Sequence, residues 1–454
     1  MKPVRIVLGL IFAAVAGLSA HYGGLPQQIV ATIAITCLTA FWWVSEALPI
    51  PATSLVPFAL FPMAGVLDQR EAASALGSFV IILLMASFML SKALERSGAH
   101  ERLALYMINL VGGSGRRLVI GFMLAAALLS MWISNTATTL MLATMALAIL
   151  SRTDDPKLSA PLLLGIAYAA SFGGVATLIG TPPNLIFADN FFRATGAEFS
   201  FARWMSIGVP IVAIGIPIMA LWLTRSLGDV KTPALADPGP WRTDERRTLM
   251  VFAIAIALWV TRSEPFGGWS GALGMEMAGD STVAVFAVIL MFLVPNGKGG
   301  ALLDWKSASD IPWGMLLLFA GGICIASGFR ASGLDVLIGD QLSMLTNAPV
   351  FLMILGLCLS VTFLTEVTSN TATANLLMPL LAAVAAGAGV KPELLMIPAV
   401  ISCSCAFMLP VATAPNAIIY GTGRISIARM AREGIMLNVI VAFIVASVCW
   451  VMLR

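Results

Sequence analysis

The chain has 454 residues, a formal net charge of +3, 59% hydrophobic residues and only 11% charged ones. Soluble domains carry about 25% charged residues, and here the mean hydropathy is +0.94. Polar surface is too scarce to cover several soluble domains, and the apolarity is too even for one soluble body on a single anchor. The composition predicts an all-α polytopic membrane protein. The mild basic excess forms no patch or stripe, which argues against nucleic-acid binding. Six cysteines lie in apolar stretches without a CxxC pair, and His21 and His100 have no ligand partner at useful spacing. A disulfide framework, a zinc centre and a catalytic triad are therefore not expected, and the chain does not read as an enzyme.

A helix needs about 20 apolar residues to cross the hydrocarbon core. The first 20 residues have features of a signal peptide, but further apolar segments follow, so they read as an uncleaved first span. Spans are expected at 4–20, 28–47, 52–67, 77–94, 159–190, 204–226, 247–262, 281–296, 311–329, 392–420 and 434–453. That makes eleven crossings. With the amino terminus inside, 19 basic residues fall on the cytoplasmic side and 7 outside. The positive-inside rule then places the amino terminus in the cytoplasm and the carboxyl terminus outside, and the expected location is the plasma membrane (a bacterial inner membrane). Trp42, Trp43, Trp204, Trp222, Trp241 and Trp450 sit in or near span ends and read as interfacial anchors.

Two apolar segments, 118–150 and 349–386, do not fit as crossings. The first is interrupted by ISNTATT, and both its flanks are basic: Arg116 and Arg117 before, Arg152 and Lys157 after. A re-entrant helical hairpin keeps both flanks inside and puts the polar tip near mid-membrane, where irregular backbone must be buried or line a wet cavity.

The sequence then repeats itself. Ser134-Asn135-Thr136-Ala137-Thr138 recurs as Ser369-Asn370-Thr371-Ala372-Thr373, and Ser97-Gly98 as Ser332-Gly333, both at an offset of 235. Gly180-Thr181-Pro182-Pro183-Asn184 is echoed by Ala412-Thr413-Ala414-Pro415-Asn416 at an offset of 232. Five expected spans separate Ser97 from Ser332, and an odd number inverts the second copy. Inverted repeats with a midplane site at their interface mark secondary transporters. The predicted organisation is a first repeat at 1–226, a cytoplasmic linker at 227–246 and a second repeat at 247–454. Each repeat holds one hairpin and one broken helix, the latter at 159–190 and 392–420.

Ser, Asn and Thr favour helix N-caps, so each SNT motif should open the second arm of its hairpin. Two helix N-termini facing each other can hold an anion without Lys or Arg. Hydroxyls, the amide oxygen and unwound carbonyls can meanwhile coordinate Na⁺. The prolines should break the helices near Gly180 and Ala412, freeing carbonyls. No Lys or Arg lies within about ten residues of these motifs except Arg193 and Arg424 at the ends of the broken spans. Bound Na⁺ would supply the missing positive charge. Glu46 and Glu366 are the acidic residues in apolar segments. Glu366 precedes the second SNT and has Met131 as its counterpart. It reads as a structural hydrogen-bonding group, with a proton-coupling role as the alternative.

The paired SNT motifs, SFGGVATLIGTPPNLIF at 171–187, MLPVATAPNAIIYG at 408–421 and SEALPIPATSLVPFALFPMAGVLD at 45–68 resemble the divalent-anion/sodium symporter (DASS) family. Its members carry dicarboxylates, citrate or sulfate, and the likeness covers nearly the whole chain. It implies eleven spans, two opposed re-entrant hairpins, a homodimer and elevator-type movement. It also implies a first sodium site of Ser130, Ser134, Asn135 and the Gly180 carbonyl. The second would be Thr365, Thr368, Asn370 and the Ala412 carbonyl. Asn135, Thr136, Asn370 and Thr371 would hold the substrate carboxylates, aided by Thr181 and Thr413. One departure is Ala414, where the family pattern usually has a second proline. The expected activity is sodium-coupled import of a C4-dicarboxylate (succinate, malate, fumarate). A sodium-independent dicarboxylate or citrate exchanger and a cation/proton antiporter are the alternatives.

Overall fold

A computed structural model describes residues 2–112, 115–152, 157–228, 239–263, 267–342 and 349–454. The described residues are helical throughout. Outside the helices there is one isolated antiparallel bridge, Pro295 to Ala301, and no strand. Eight helices are long and apolar enough to cross a membrane: Pro3–Tyr22, Gln27–Ser45, Gln69–Ser97, Ser159–Ala176, Phe201–Thr224, Trp313–Ser332, Asn370–Ala388 and Ile427–Leu453. The segment expected as a span at 52–67 folds instead as two short helices, Ile50–Thr53 and Val56–Met63. Pro57 explains the interruption: in a continuous helix it would have no N–H for the Thr53 carbonyl and its ring would crowd that carbonyl, whereas in the first turn of Val56–Met63 it costs nothing. Of the expected linker at 227–246, positions 229–238 lie outside the described residues.

Both proline-containing motifs break their helices where the sequence predicts. Ser159–Gly173 runs into a single 3₁₀ turn, Gly174–Ala176, and the chain is then extended at Thr177 and Thr181 before Pro182–Thr195 begins. In the second half, Pro392–Cys403 ends well before Ala414–Gly421 starts. Between Pro161 and Gly173 every residue is buried, so this break lies in the core of the protein. Each SNT motif likewise separates two helices: Gly115–Ser130 from Asn135–Leu150, and Val350–Thr365 from Asn370–Ala388. Three of these arms have 16 residues. At 1.5 Å per residue that is about 24 Å, short of a ~30 Å core. The fourth arm has 19.

The Ser-Gly echo has a shared local cause. Gly98 and Gly333 both take positive φ, 72° and 77°, and terminate Phe79–Ser97 and Trp313–Ser332 as left-handed caps. This conformation is the one glycine adopts without strain. The described end of the linker docks on Ala99–Val111. There Arg102 pairs with Glu245 at 2.8 Å and donates to the Gly239 and Pro240 carbonyls. Trp241 stacks on Tyr106 beneath the Arg102 guanidinium.

Candidate functional site

Ser134 and Ser369 are the N-cap residues of the second arms, as their composition predicts, yet neither side chain makes a capping bond. The bonds near the tips come from one turn earlier. In the first half Ser130 Oγ donates to Asn135 Oδ1 and, at 2.6 Å, to the Ala170 carbonyl. In the second half Thr365 Oγ1 donates to Asn370 Oδ1 at 2.7 Å and to the Cys403 carbonyl at 3.0 Å. The same three-point junction thus ties each tip to its own broken helix. Thr368, named with Thr365 in the expected second ion set, bonds elsewhere. Its hydroxyl donates to the Leu364 carbonyl and meets Thr373 Oγ1 at 2.7 Å.

The breaks expose two carbonyls. A helical carbonyl is normally met by an N–H three or four residues on. For Gly180 and Ala412 the third residue is Pro183 or Pro415, which has no N–H. The fourth is Asn184 or Asn416, whose N–H turns instead to the Thr181 carbonyl (3.2 Å) or to Thr413 Oγ1 (3.1 Å). Both carbonyls are therefore left without a donor from the following turn. Around Gly174 the oxygens converge. A Cβ placed there would lie 2.7 Å from the Gly180 carbonyl oxygen and 3.1 Å from Asn135 Oδ1. Only a residue without a side chain allows the two stretches of backbone to approach this closely, and the oxygens brought together beside it suit a small hard cation.

A single cavity of about 680 Å³ joins the two halves. Its wall includes Ser134, Asn135 and Thr136 from the first tip and Ser369, Asn370 and Thr371 from the second. Gly180 and Thr181 come from one break, Ala412 and Thr413 from the other. All six residues expected to hold substrate therefore face one space, although they are drawn from four separate segments. Ser130, Thr365 and Thr368 do not line it. The two breaks also meet each other directly, with Thr181 Oγ1 at 3.4 Å from Ser404 Oγ.

Three charged side chains on the wall escaped the sequence reading. Lys92, at the end of Phe79–Ser97, lies 3.4 Å from Glu95 and 3.1 Å from Asp310. One ammonium against two carboxylates leaves the wall with no net positive charge. The two acids are held by the cation that could otherwise have met an anion. No local pattern announces this trio, because Lys92 and Asp310 are far apart in the chain and meet only through packing.

The acidic and aromatic candidates resolve differently. Glu46 is exposed at a left-handed helix end (φ 49°) and does not line the cavity. Glu366 is buried, 3% exposed, and accepts the N–H groups of Phe407, Met408 and Leu409 and the side-chain amide of Asn438. It holds the second break against the hairpin, which agrees with the structural reading. Trp204 is not an interfacial anchor. It is fully buried and donates to the Val175 carbonyl at 2.8 Å, pinning the first break. Trp43 is also buried and donates to Ser54. Proximity to a span end gave no sign that these indoles point inward.

The family model described as "Citrate transporter" (CitMHS) matches residues 40–396. The chain is 38% identical to the sodium-dependent dicarboxylate transporter SdcS of Staphylococcus saprophyticus, covering 98% of this chain and 90% of that one. SdcS of Staphylococcus aureus strain USA300 is likewise 38% identical, with the same coverage. Among solved structures, the Alcanivorax borkumensis YdaH transporter superimposes with a TM-score of 0.62 at 13% identity, over 94% of this chain and 98% of that one. Neisseria gonorrhoeae MtrF, described as illuminating a class of antimetabolite efflux pumps, gives 0.57 at 13% identity, over 99% and 94%. At that identity the two structures speak to the fold alone. The extent of the family match and the identity to SdcS settle the rest: the chain belongs to the citrate-transporter family, of the DASS type its paired motifs resemble, and is a multi-pass membrane transporter rather than an enzyme.

Proposed function

We propose that the protein is a sodium-coupled symporter that imports C4-dicarboxylates such as succinate, malate and fumarate. The observation that carries this reading is the shared cavity. Six hydroxyl and amide side chains from both SNT motifs and both breaks line it, and its wall has no net positive charge. A dianion bound there needs cations from elsewhere, and the coupling ion is the natural source. The printed description of the SdcS relatives, sodium-dependent dicarboxylate transporters, supports the same substrate class and ion.

In this reading one Na⁺ binds among Ser130, Ser134, Asn135 and the Gly180 carbonyl. A second binds among Thr365, Thr368, Asn370 and the Ala412 carbonyl. The donorless carbonyls, and the approach of the Gly180 carbonyl and Asn135 Oδ1 beside Gly174, favour these positions. Asn135, Thr136, Thr181, Asn370, Thr371 and Thr413 then hold the two carboxylates, one near each helix N-terminus. The two halves act as an inverted repeat. The tips and breaks travel together as a homodimer's elevator unit, with the amino terminus cytoplasmic and the carboxyl terminus outside. That orientation puts Lys92, Glu95 and Asp310 at the cytoplasmic mouth, so the cavity belongs to an inward-facing state.

The test is labelled succinate uptake into proteoliposomes under an inward Na⁺ gradient. Replacing Na⁺ by choline is expected to abolish uptake. Undiminished uptake in choline, with counterflow that needs internal substrate, would instead establish a sodium-independent exchanger.

A further inference from the structure

We infer that Asn184 and Asn416 are positioning residues of the two sodium sites, each clamping its helix break in the shape that presents the ion-binding carbonyl. The inference rests on the sodium-coupled reading above and concerns residues outside the expected ligand and substrate sets.

The two side chains do the same thing in the two halves. Asn184 Nδ2 donates to the carbonyls of Gly174 (3.2 Å) and Thr177 (2.7 Å). Asn416 Nδ2 donates to those of Ala406 (3.1 Å) and Leu409 (3.0 Å). Donor and both acceptors correspond at one offset of 232, so the whole clamp is repeated and not only the asparagine. The acceptors themselves differ: glycine and threonine in one half, alanine and leucine in the other. What the halves share is the backbone path that the amide enforces.

That path has a consequence for the ion. Each amide bridges two carbonyls of the break, ten and seven residues before it. The next exposed carbonyl, Gly180 or Ala412, lies four residues before the asparagine. It has a proline at its third following position, and the asparagine's own N–H is turned to Thr181 or Thr413. The side chain therefore satisfies the earlier carbonyls while the backbone of the same residue leaves the last one free. In the first half the Gly174 end of the clamp is also where the Gly180 oxygen and Asn135 Oδ1 converge.

A second observation shows that the donor end of the amide is what the site uses. Asn184 and Asn416 are both completely buried, and the Oδ1 of each has no hydrogen-bond partner. An unpaired buried acceptor is costly. A residue kept only to fill the space would do better apolar. An amide retained in both halves with its oxygen unpaired is there for its two N–H bonds.

The experiment measures Na⁺-driven succinate uptake in proteoliposomes for Asn184→Ala and Asn416→Ala, and for the milder Asn184→Gln and Asn416→Gln. The Gln variants keep the amide donors one methylene displaced. They serve as the test should an alanine variant fail to insert. Each Ala variant is expected to raise the Na⁺ concentration for half-maximal uptake about fivefold or more, the equivalent of one net hydrogen bond or above. Maximal rate at saturating Na⁺ should stay within about twofold, as should the succinate KM measured there. The Gln variants should shift in the same direction by less. A purely structural role would lower the amount of reconstituted protein and its maximal rate without moving the Na⁺ dependence. That result, in a wild-type background that needs Na⁺, would overturn the inference alone. A wild type indifferent to Na⁺ would overturn the functional reading and this inference with it.

Discussion

Glu366 offers the sharpest test of how the second break is held. Its Oε1 accepts from Phe407 N–H at 2.7 Å, Met408 N–H at 2.9 Å and Asn438 Nδ2 at 2.8 Å. Its Oε2 accepts from Leu409 N–H at 3.0 Å. Glu366→Gln keeps the first oxygen and replaces the second by an NH₂ group facing the Leu409 N–H. One bond to the carboxylate is lost and one buried donor is stranded, at a cost of about 2–4 kcal/mol. Glu366→Ala leaves the Phe407 N–H its second acceptor, Asn438 Oδ1 at 3.3 Å, but strands the other three donors, which at about 1–3 kcal/mol each is a large part of the stability of a typical domain. The Gln variant is therefore the informative one. It should melt well below the wild type in detergent yet retain Na⁺-driven uptake, because Gln cannot carry a proton and none is required. Wild-type melting would refute the structural account. A folded variant without transport would refute it from the other side and make Glu366 a coupling group, as the antiporter alternative requires.

Two further predictions concern the ion and substrate positions directly. Asn135→Ala and Asn370→Ala each remove an amide from the cavity wall and the oxygen that Ser130 or Thr365 bonds. Both should abolish Na⁺-driven succinate uptake, and near-normal rates would reject the site assignment. Gly174→Ala places a Cβ 2.7 Å from the Gly180 carbonyl oxygen, a backbone atom that cannot swing away. The displaced carbonyl should raise the Na⁺ concentration for half-maximal uptake strongly, and an unshifted value would show that the Gly180 carbonyl is not an ion ligand.

The parts of the fold that could be read from the sequence were those with a local cause. SNT tips and proline breaks are each set by a few adjacent residues and appear where the motifs predict, and the repeated Ser-Gly pairs have a local cause as helix caps. The 52–67 segment failed because hydropathy counts apolar residues, while Pro57 decides whether they form one helix. The direction of Trp204 and the Lys92–Glu95–Asp310 trio depend on tertiary packing, which no sequence window contains. Asn184 and Asn416 stood in the quoted motifs, but prolines drew the attention there. Their common offset of 232 was visible, and it was the signal that could have singled them out.

In both halves the break donates to the hairpin, but through different groups. In the first, Thr177 Oγ1 donates to the Met131 carbonyl and Trp204 donates to the Val175 carbonyl. In the second, the residue matching Met131 is Glu366, and its side chain accepts N–H groups of residues 407–409. The first break reaches its hairpin through a side-chain hydroxyl that meets a backbone carbonyl, the second through backbone N–H groups that meet a side-chain carboxylate. What stays common to both is smaller: the Ser130 or Thr365 junction, the asparagine clamp, and one carbonyl without a donor. Of these, Asn135, Asn370, Gly180 and Ala412 line the shared cavity, whose own side chains offer an anion no net positive charge. Two such carbonyls, one per half, can recruit two cations, and two monovalent cations balance a dicarboxylate. The symmetry kept between the halves is the one that the proposed binding of a divalent anion with sodium would use, and elements outside that proposed site, such as Met131 and Glu366, differ.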